Sequence, residues 1–183
     1  IRECPVLLVW LADLSRLDRV GERVGVPAQA NDYLEMFLVA VVDAALAAQN
    51  AAVAAEALGL GTVYIGAMRN RPEDVARELG LPPHVFAVFG LCLGHPDPAR
   101  PASVKPRLDP GVILHQERYG VPADAEAAEV SRYDQVMRAF QVSQQMPAVD
   151  WSSQSATRVK GPESLSGRDR LKQAIQALGF RLD

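Results

Sequence analysis

The longest apolar stretch of the chain covers residues 33–58, which include few charged side chains and neither proline nor glycine. This pattern predicts one long helix, which ends where Gly59 supplies a left-handed stop. A helix this apolar is expected to be buried on most of its faces. Because Glu35 and Asp43 lie within it and a charge at the centre of a bilayer is costly, the helix is predicted to lie in a protein core and not in a membrane.

Shorter apolar runs predict the strands of a sheet. Residues 6–11 form a continuous apolar run, as expected for a central strand that is covered on both faces. Residues 84–94 show the same pattern and predict a second, fully buried strand. The β-branched and aromatic side chains of residues 62–65 predict a short strand, and residues 112–115 predict a short strand at an edge.

The remaining elements are predicted to be helices and loops. Pro72, followed by two acidic residues, predicts the start of a short helix. Residues 123–145 have the spacing of an amphipathic helix, and residues 167–178 predict a last helix. Residues 146–162 are mostly polar and predict a loop.

The order of these elements favours an α+β fold, because strands and helices alternate without complete crossover units. We expect a core over residues 1–122 and a helical C-terminal arm over residues 123–183. The arm carries too little apolar surface to fold alone, so it is expected to pack on a second subunit.

Composition and charge narrow the class of protein. The chain is 49% hydrophobic with a net charge of −3, which argues for a folded core and against nucleic acid as a partner. Its two cysteines are too few for a disulfide framework and fit a reducing cytoplasm, and its three histidines lack metal-ligand spacing. The chain begins at Ile1 and enters a core strand almost at once, which predicts that a further segment precedes it.

One candidate binding feature follows the long helix. The predicted strand ends at Gly66, which has no Cβ and lets a ligand approach the backbone, and Arg69 follows it closely. The backbone N–H groups of Tyr64, Ile65, Gly66 and Ala67 are candidate donors to a planar ligand. The alternative is an ordinary junction between a strand and a turn.

A second candidate feature is the sequence Lys105-Pro106-Arg107. The proline fixes the backbone between two cations, an arrangement that suits a phosphate or a delocalised anion. The alternative is a solvated basic turn. Because no nucleophile stands beside a suitable base in the sequence, an enzyme built on this chain would rely on a bound cofactor for its chemistry.

Three segments carry a family resemblance when they are taken in order and spacing: AAQNAAVAAEALGLGTVYIGAMRN, HVFAVFGLCLGHP and VKPRL. Together they resemble the FMN-dependent nitroreductase superfamily, and most closely its NADPH-linked oxygen-insensitive nitroreductase and flavin reductase branch. The likeness covers residues 4–119 well and the C-terminal arm loosely. It implies a nitroreductase-like mixed sheet with helices on both faces and a helical C-terminal arm.

The resemblance also implies a function. It implies a homodimer that binds FMN at the subunit interface and transfers hydride or electrons by a ping-pong scheme from NAD(P)H to nitroaromatics, quinones or flavins. It assigns no catalytic side chain and no metal. The implied cofactor-binding residues are Tyr64, Ile65, Gly66, Ala67, Lys105 and Arg107. The implied substrate-binding residues are Arg69 and Arg168.

Two departures from the family pattern limit what the resemblance implies. The family's His-Arg-Ser-x-Arg phosphate-binding motif does not occur in the sequence, so this chain is expected to hold only part of the FMN site. The loop that binds the NADPH 2′-phosphate in the family should fall near residues 144–151, which contain no arginine. Arg158 and Lys160 are the nearby cations, and the choice between NADH and NADPH stays open.

Two alternatives to a flavin-dependent reductase also stay open. One is a flavin-less scaffold or dimerisation protein derived from this fold. The other is a related flavin enzyme with a different reaction, such as reductive dehalogenation or the destruction of flavin.

Overall fold

The computed structural model describes residues 3–183, which divide into two compact units. The first unit comprises the described residues up to Ala99 together with Ser166–Asp183, and the second is Arg100–Leu165. The predicted division into a core over residues 1–122 and an arm over residues 123–183 stays a prediction. In chain order the strands and helices are β1 (Val6–Asp13), α1 (Ser15–Val24), α2 (Leu34–Ala57), β2 (Gly61–Ile65), α3 (Pro72–Leu79), β3 (Val85–Gly94), α4 (Pro110–Ile113), α5 (Ala123–Ser143), α6 (Trp151–Arg158) and α7 (Leu171–Ala177).

The sheet of the first unit has three antiparallel strands within the described residues, in the order β1-β3-β2. The expectation that residues 6–11 form a central strand is wrong, because β1 lies at the edge of this sheet and β3 lies in the middle. Leu7 and Leu8 on β1 are each 37% exposed, whereas most of β3 is buried. A continuous apolar run predicts a strand, but it does not predict which strand receives neighbours on both sides.

The core of the first unit joins the sheet, α2 and the C-terminal segment. Phe37 on α2 meets the rings of Phe86 and Phe180 edge to face, at centroid distances of 5.7 and 5.1 Å. The last residues of the chain are therefore part of the same core as the central strand. The buried members of this cluster are Ala12, Leu14, Ala44, Phe86, Val88, Ile175 and Phe180.

The predicted long helix is confirmed as α2, but its predicted burial is wrong. Its fully buried positions are alanines at a spacing of three or four residues, which bring the helix close to the sheet: Ala44, Ala48, Ala52 and Ala55. On another face, Leu38, Val42 and Leu46 are 48, 54 and 62% exposed. By length and composition alone, α2 is also apolar enough to cross a membrane.

The second unit is helical throughout its regular elements. Residues 112–115 were expected to form an edge strand, which is wrong, because α4 begins at Pro110 and the Asp109 carboxylate accepts a hydrogen bond from the Gly111 N–H (2.8 Å). A proline and an aspartate placed in this way start a helix more readily than they join a sheet.

The prediction of a loop over residues 146–162 is also wrong in part, because α6 lies within this range. The Asp134 carboxylate on α5 fixes this helix by accepting bonds from the Ser152 N–H (2.9 Å) and hydroxyl (2.6 Å). The Trp151 ring packs edge to face on Tyr133 at 5.3 Å. The tryptophan, serines and threonine of α6 have only moderate helix preference, so these tertiary contacts support the helix.

Candidate functional site

The end of β2 forms the first part of the candidate site. β2 pairs with β3 through Ile65, and the chain then turns through a 3₁₀ segment, Gly66–Asn70. A Cβ placed on Gly66 would lie 3.2 Å from Nη2 of Arg69, so glycine leaves the space that this guanidinium group uses. Tyr64 is 44% exposed, and its ring meets Phe89 at 5.5 Å. The backbone of this turn is thus supported from one side and partly open.

Arg69 is held against the central strand. Its Nη1 donates a hydrogen bond of 2.6 Å to the carbonyl of Val88. Partial burial of the Arg69 guanidinium lowers its pKa, and the positive charge of Arg168 lowers it further. The positive charges of the two predicted substrate residues, Arg69 and Arg168, therefore act on each other although the residues lie far apart in the sequence.

The backbone directly before Arg168 packs against the same turn. Gly167 has a φ of +85°, and a Cβ at this residue would lie 3.2 Å from the backbone oxygen of Asn70. Close contact between the two backbones is possible because residue 167 is glycine. The Arg168 Nε is buried and has no hydrogen-bond partner within residues 3–183, and the same holds for the Asn70 Oδ1.

The predicted basic pair lies in the second unit. Lys105 and Arg107 are exposed, and neither forms an ion pair with a carboxylate in the described part of the chain. The Arg107 Nη1 donates to the carbonyls of Lys105 (3.1 Å) and Pro106 (3.3 Å). The Tyr133 hydroxyl donates to the Pro106 carbonyl (2.8 Å) and so fixes the turn to α5. The pair is ordered by the backbone and retains unneutralised positive charge.

Two other potentially reactive side chains, Cys92 and His84, lie in structural positions. Burial raises the pKa of the Cys92 thiol, as is typical of an unreactive structural cysteine. The two ring nitrogens of His84 lie 2.7 Å from the Asp18 carboxylate and 2.6 Å from the Gly179 carbonyl. His84 therefore links α1 to the C-terminal segment. Among residues 3–183 no group of three or more His, Cys, Asp or Glu side chains is arranged to hold a metal ion.

One group at the site and one structural link were missed by the sequence reasoning. Asn70 directly follows Arg69 in the turn, and its buried, unpartnered Oδ1 becomes visible only in the structure. The link made by His84 was also missed, because histidine spacing was considered only for metal binding. An asparagine next to an arginine at the end of a strand is a weak signal that sequence alone does not distinguish from an ordinary turn.

Sequence comparison relates both units to known proteins. Residues 1–95 match the nitroreductase family, and residues 105–183 match the C-terminal domain of the nitroreductase family. An NADPH-flavin oxidoreductase of Vibrio harveyi is 38% identical over 163 residues, which cover 88% of this chain and 64% of the relative. An NADPH-linked FMN reductase of Bacillus subtilis is 40% identical over 130 residues, which cover 70% of this chain and 51% of the relative. The chain thus spans between about half and two thirds of the length of these curated relatives.

The fold leads to the same group of proteins. The solved structure of NfrA2 from Bacillus megaterium matches this chain with a TM-score of 0.89 at 31% identity, over 99% of this chain and 71% of that one. This similarity confirms the predicted α+β, nitroreductase-like fold. The two matched segments contain every residue predicted for the site. The chain therefore belongs to the nitroreductase family.

Proposed function

We propose that this chain is a subunit of an FMN-dependent oxidoreductase that oxidises NAD(P)H and reduces nitroaromatics, quinones or flavins. The observation that carries the proposal is the match of both segments of the chain to the nitroreductase family. The activities in the names of the relatives support it. These relatives are longer than the segments that match this chain. The activity of this chain itself therefore requires an experimental test.

The residues that the structure describes fit FMN. FMN carries a phosphate and an electron-rich ring edge, which require cations and exposed N–H donors. The turn after β2 is only partly buried, with Ala67 exposed, and Lys105 and Arg107 carry positive charge that no described carboxylate neutralises. When bound, FMN supplies the hydride and electron chemistry, so no side chain has to act as a nucleophile.

Each predicted residue receives a binding role in this proposal. We assign the backbone of Tyr64, Ile65, Gly66 and Ala67 to contacts along the flavin ring. Lys105 and Arg107 bind anionic atoms of FMN, and their positive charge favours the reduced cofactor. Arg69 and Arg168 contact the substrate.

We further propose that the working unit is a homodimer. Leu38, Val42 and Leu46 follow one another at a spacing of four residues, so they lie on one face of α2, and all three are exposed. A contiguous apolar face of this kind is typical of a surface that another protein covers. A second copy of this chain is the partner that the family resemblance implies.

We also propose that the protein is soluble and works in the cytoplasm. Cys4 and Cys92 are free thiols, which is typical of a reducing compartment. Glu35 and Asp43 on α2 disfavour a membrane position for this helix. Fractionation of cells that express the full gene should place the protein with soluble cytoplasmic enzymes.

The function is tested with the purified chain and added FMN. We expect it to retain FMN through gel filtration, to show flavin absorbance, and to oxidise NAD(P)H when a quinone or nitroaromatic acceptor is supplied. Failure to bind FMN would favour the flavin-less scaffold. Binding of FMN without reduction of either acceptor would favour a related flavin enzyme with another reaction.

The roles of the basic pair are tested by substitution. Lys105→Ala and Arg107→Ala should each weaken FMN binding by about 1–3 kcal/mol, because each removes a charge-assisted contact. Fluorescence titration of FMN gives the dissociation constants. Arg118→Ala is the matched control, since Arg118 is an exposed cation of the same unit. If both variants bind FMN as tightly as this control does, Lys105 and Arg107 form only a solvated basic turn.

A further inference from the structure

The segment that carries the basic pair is fastened to one helix. This segment, residues 103–109, lies outside the helices and strands of the second unit. Three hydrogen bonds tie it to α5: Gln144 Nε2 to the Ser103 hydroxyl at 3.2 Å, the Tyr133 hydroxyl to the Pro106 carbonyl at 2.8 Å, and the Asp109 N–H to Glu129 Oε1 at 2.9 Å. Because the partners on α5 follow in the reverse order, the segment runs antiparallel to the helix.

The middle of these three contacts lies between the two cations. Lys105 and Arg107 are exposed, whereas Pro106 between them is partly buried. The contacts at Ser103 and Asp109 each lie two residues beyond a cation. The Tyr133 hydroxyl therefore holds the one backbone carbonyl that stands between both cations.

The Pro106 carbonyl also accepts a hydrogen bond from one of those cations. Arg107 Nη1 lies 3.3 Å from it and 3.1 Å from the Lys105 carbonyl. A carbonyl oxygen has two lone pairs, so it can accept from Arg107 and from Tyr133 together. The Arg107 guanidinium is thus folded back on a backbone whose position Tyr133 fixes. Within residues 3–183 its Nε and Nη2 bind nothing, so these donors stay available to a ligand.

The tyrosine itself is ordered by packing. Tyr133 is 4% exposed, and its ring meets the Trp151 ring edge to face at 5.3 Å. A buried tyrosine usually directs its hydroxyl to one hydrogen-bond partner, which here is the Pro106 carbonyl. A donor that is ordered before a ligand arrives reduces the entropy that is lost on binding.

We propose that Tyr133 is a positioning residue for the cofactor, whose hydroxyl orders the Lys105-Pro106-Arg107 turn before FMN binds. Tyr133 does not touch FMN in this proposal and acts only through the two cations. The inference rests on the proposed function and adds to it a residue of α5 that no motif in the sequence marks.

Tyr133→Phe tests the proposal, because it removes the hydroxyl and keeps the ring that packs on Trp151. The dissociation constant of FMN, measured by fluorescence titration, should rise about three- to tenfold, which is the range for the loss of one hydrogen bond. Tyr119→Phe is the matched control, since Tyr119 is a tyrosine of the same unit that is 92% exposed. Its dissociation constant should stay within about twofold of the wild-type value. Circular dichroism should show both variants folded.

A double-mutant cycle separates positioning from a general role in the fold. If the hydroxyl acts through the cations, its loss should matter only while they are present. In a chain that carries Lys105→Ala and Arg107→Ala, adding Tyr133→Phe should raise the dissociation constant less than about twofold. A hydroxyl that only supported the fold of the second unit would raise it by the same factor in both backgrounds.

Riboflavin, which lacks the phosphate of FMN, shows which anionic atoms the turn meets. A loss of affinity in Tyr133→Phe that is confined to FMN assigns the turn to the phosphate. An equal loss for riboflavin assigns it to the flavin ring. Either result supports the proposal, because both cations act on the cofactor in each case.

Two results would overturn the proposal: an FMN dissociation constant for Tyr133→Phe that equals that of Tyr119→Phe, or an equal loss with and without the cations. A wild-type chain that binds no FMN would refute both this inference and the proposed function. A wild-type chain that binds FMN and shows the coupling, but oxidises no NAD(P)H with any acceptor, would refute the proposed function alone and leave the role of Tyr133 intact.

Discussion

β3 and α2 have the same apolar character in the sequence and opposite surroundings in the structure. β3 is buried along most of its length, with Phe86 2% and Leu91 0% exposed. α2 is fully buried only at four alanines, while Leu46 is 62% exposed. An apolar composition predicts that the side chains of an element will be shielded from water. The position of the element in the fold decides whether other parts of the same chain shield them.

The geometry of the two elements explains the difference. β3 is paired with a strand on each side, and the core cluster of the first unit covers residues such as Phe86 and Val88. A helix turns its side chains through a full circle every 3.6 residues, so only one stripe of α2 can face the sheet. Alanines occupy that stripe. The larger apolar side chains of α2 lie outside this stripe, where they can contact another surface.

The largest expected effect tests the buried side of the comparison. Phe86→Ala should lower the free energy of unfolding by about 3–5 kcal/mol, because it leaves a cavity in the core that joins the sheet to α2. Leu46→Ala, the matched change on α2, should cost less than about 0.5 kcal/mol in the monomer. Urea denaturation at low protein concentration measures both values. Similar losses at the two positions would contradict the distinction between them.

Much of the fold was predictable because its signals are local. The ends of α2 and α3 follow from Gly59, Pro72 and Gly80, whose backbone preferences act within one turn. The edge position of β1 was not predictable in this way, because it depends on which strands pair across long stretches of sequence. α6 was missed for a related reason: its stability comes from contacts with α5 and not from its own sequence.

The candidate site also contains residues with a local sequence signal and residues without one. The glycine at the end of β2 and the Lys105-Pro106-Arg107 turn are visible as short motifs. The closeness of Arg69 to Arg168 has no local signal, since it depends on the C-terminal segment returning to the turn after β2. Only the family resemblance assigned both residues to one site.

The second expected effect tests the exposed side of the comparison. Leu46→Glu should weaken self-association by about tenfold or more, because it places an unpaired charge in the apolar face of α2. Sedimentation velocity over a range of concentrations measures the change, and circular dichroism should show a folded monomer. Gln173→Glu introduces the same charge at an exposed position of α7 and should leave association unchanged. A wild-type protein that stays monomeric at all concentrations would show that α2 is not covered by a second copy.

The smallest expected effect concerns an ion pair outside the core that β3 and α2 share. Hydrogen bonds from Arg170 on the C-terminal segment lower the pKa of Glu73 on α3 to about 2. The folded state therefore binds the Glu73 proton less tightly than the unfolded chain does, and the pair stabilises the fold above the unfolded pKa of about 4.3. As the pH falls from there towards 2, Glu73 takes up a proton and this stabilisation is lost.

Glu73→Gln should expose that contribution. The two side chains are 34 and 45% exposed, so solvent screening limits the loss at pH 7 to about 0.5–1 kcal/mol, well below the core value. Urea denaturation at steps between pH 7 and pH 3 should show the wild type and the variant converging as the pH falls below about 4.3. Glu78→Gln changes an exposed glutamate of the same helix and is the control. A difference that stays constant with pH would mean that Glu73 acts through packing and that its ionised form contributes nothing.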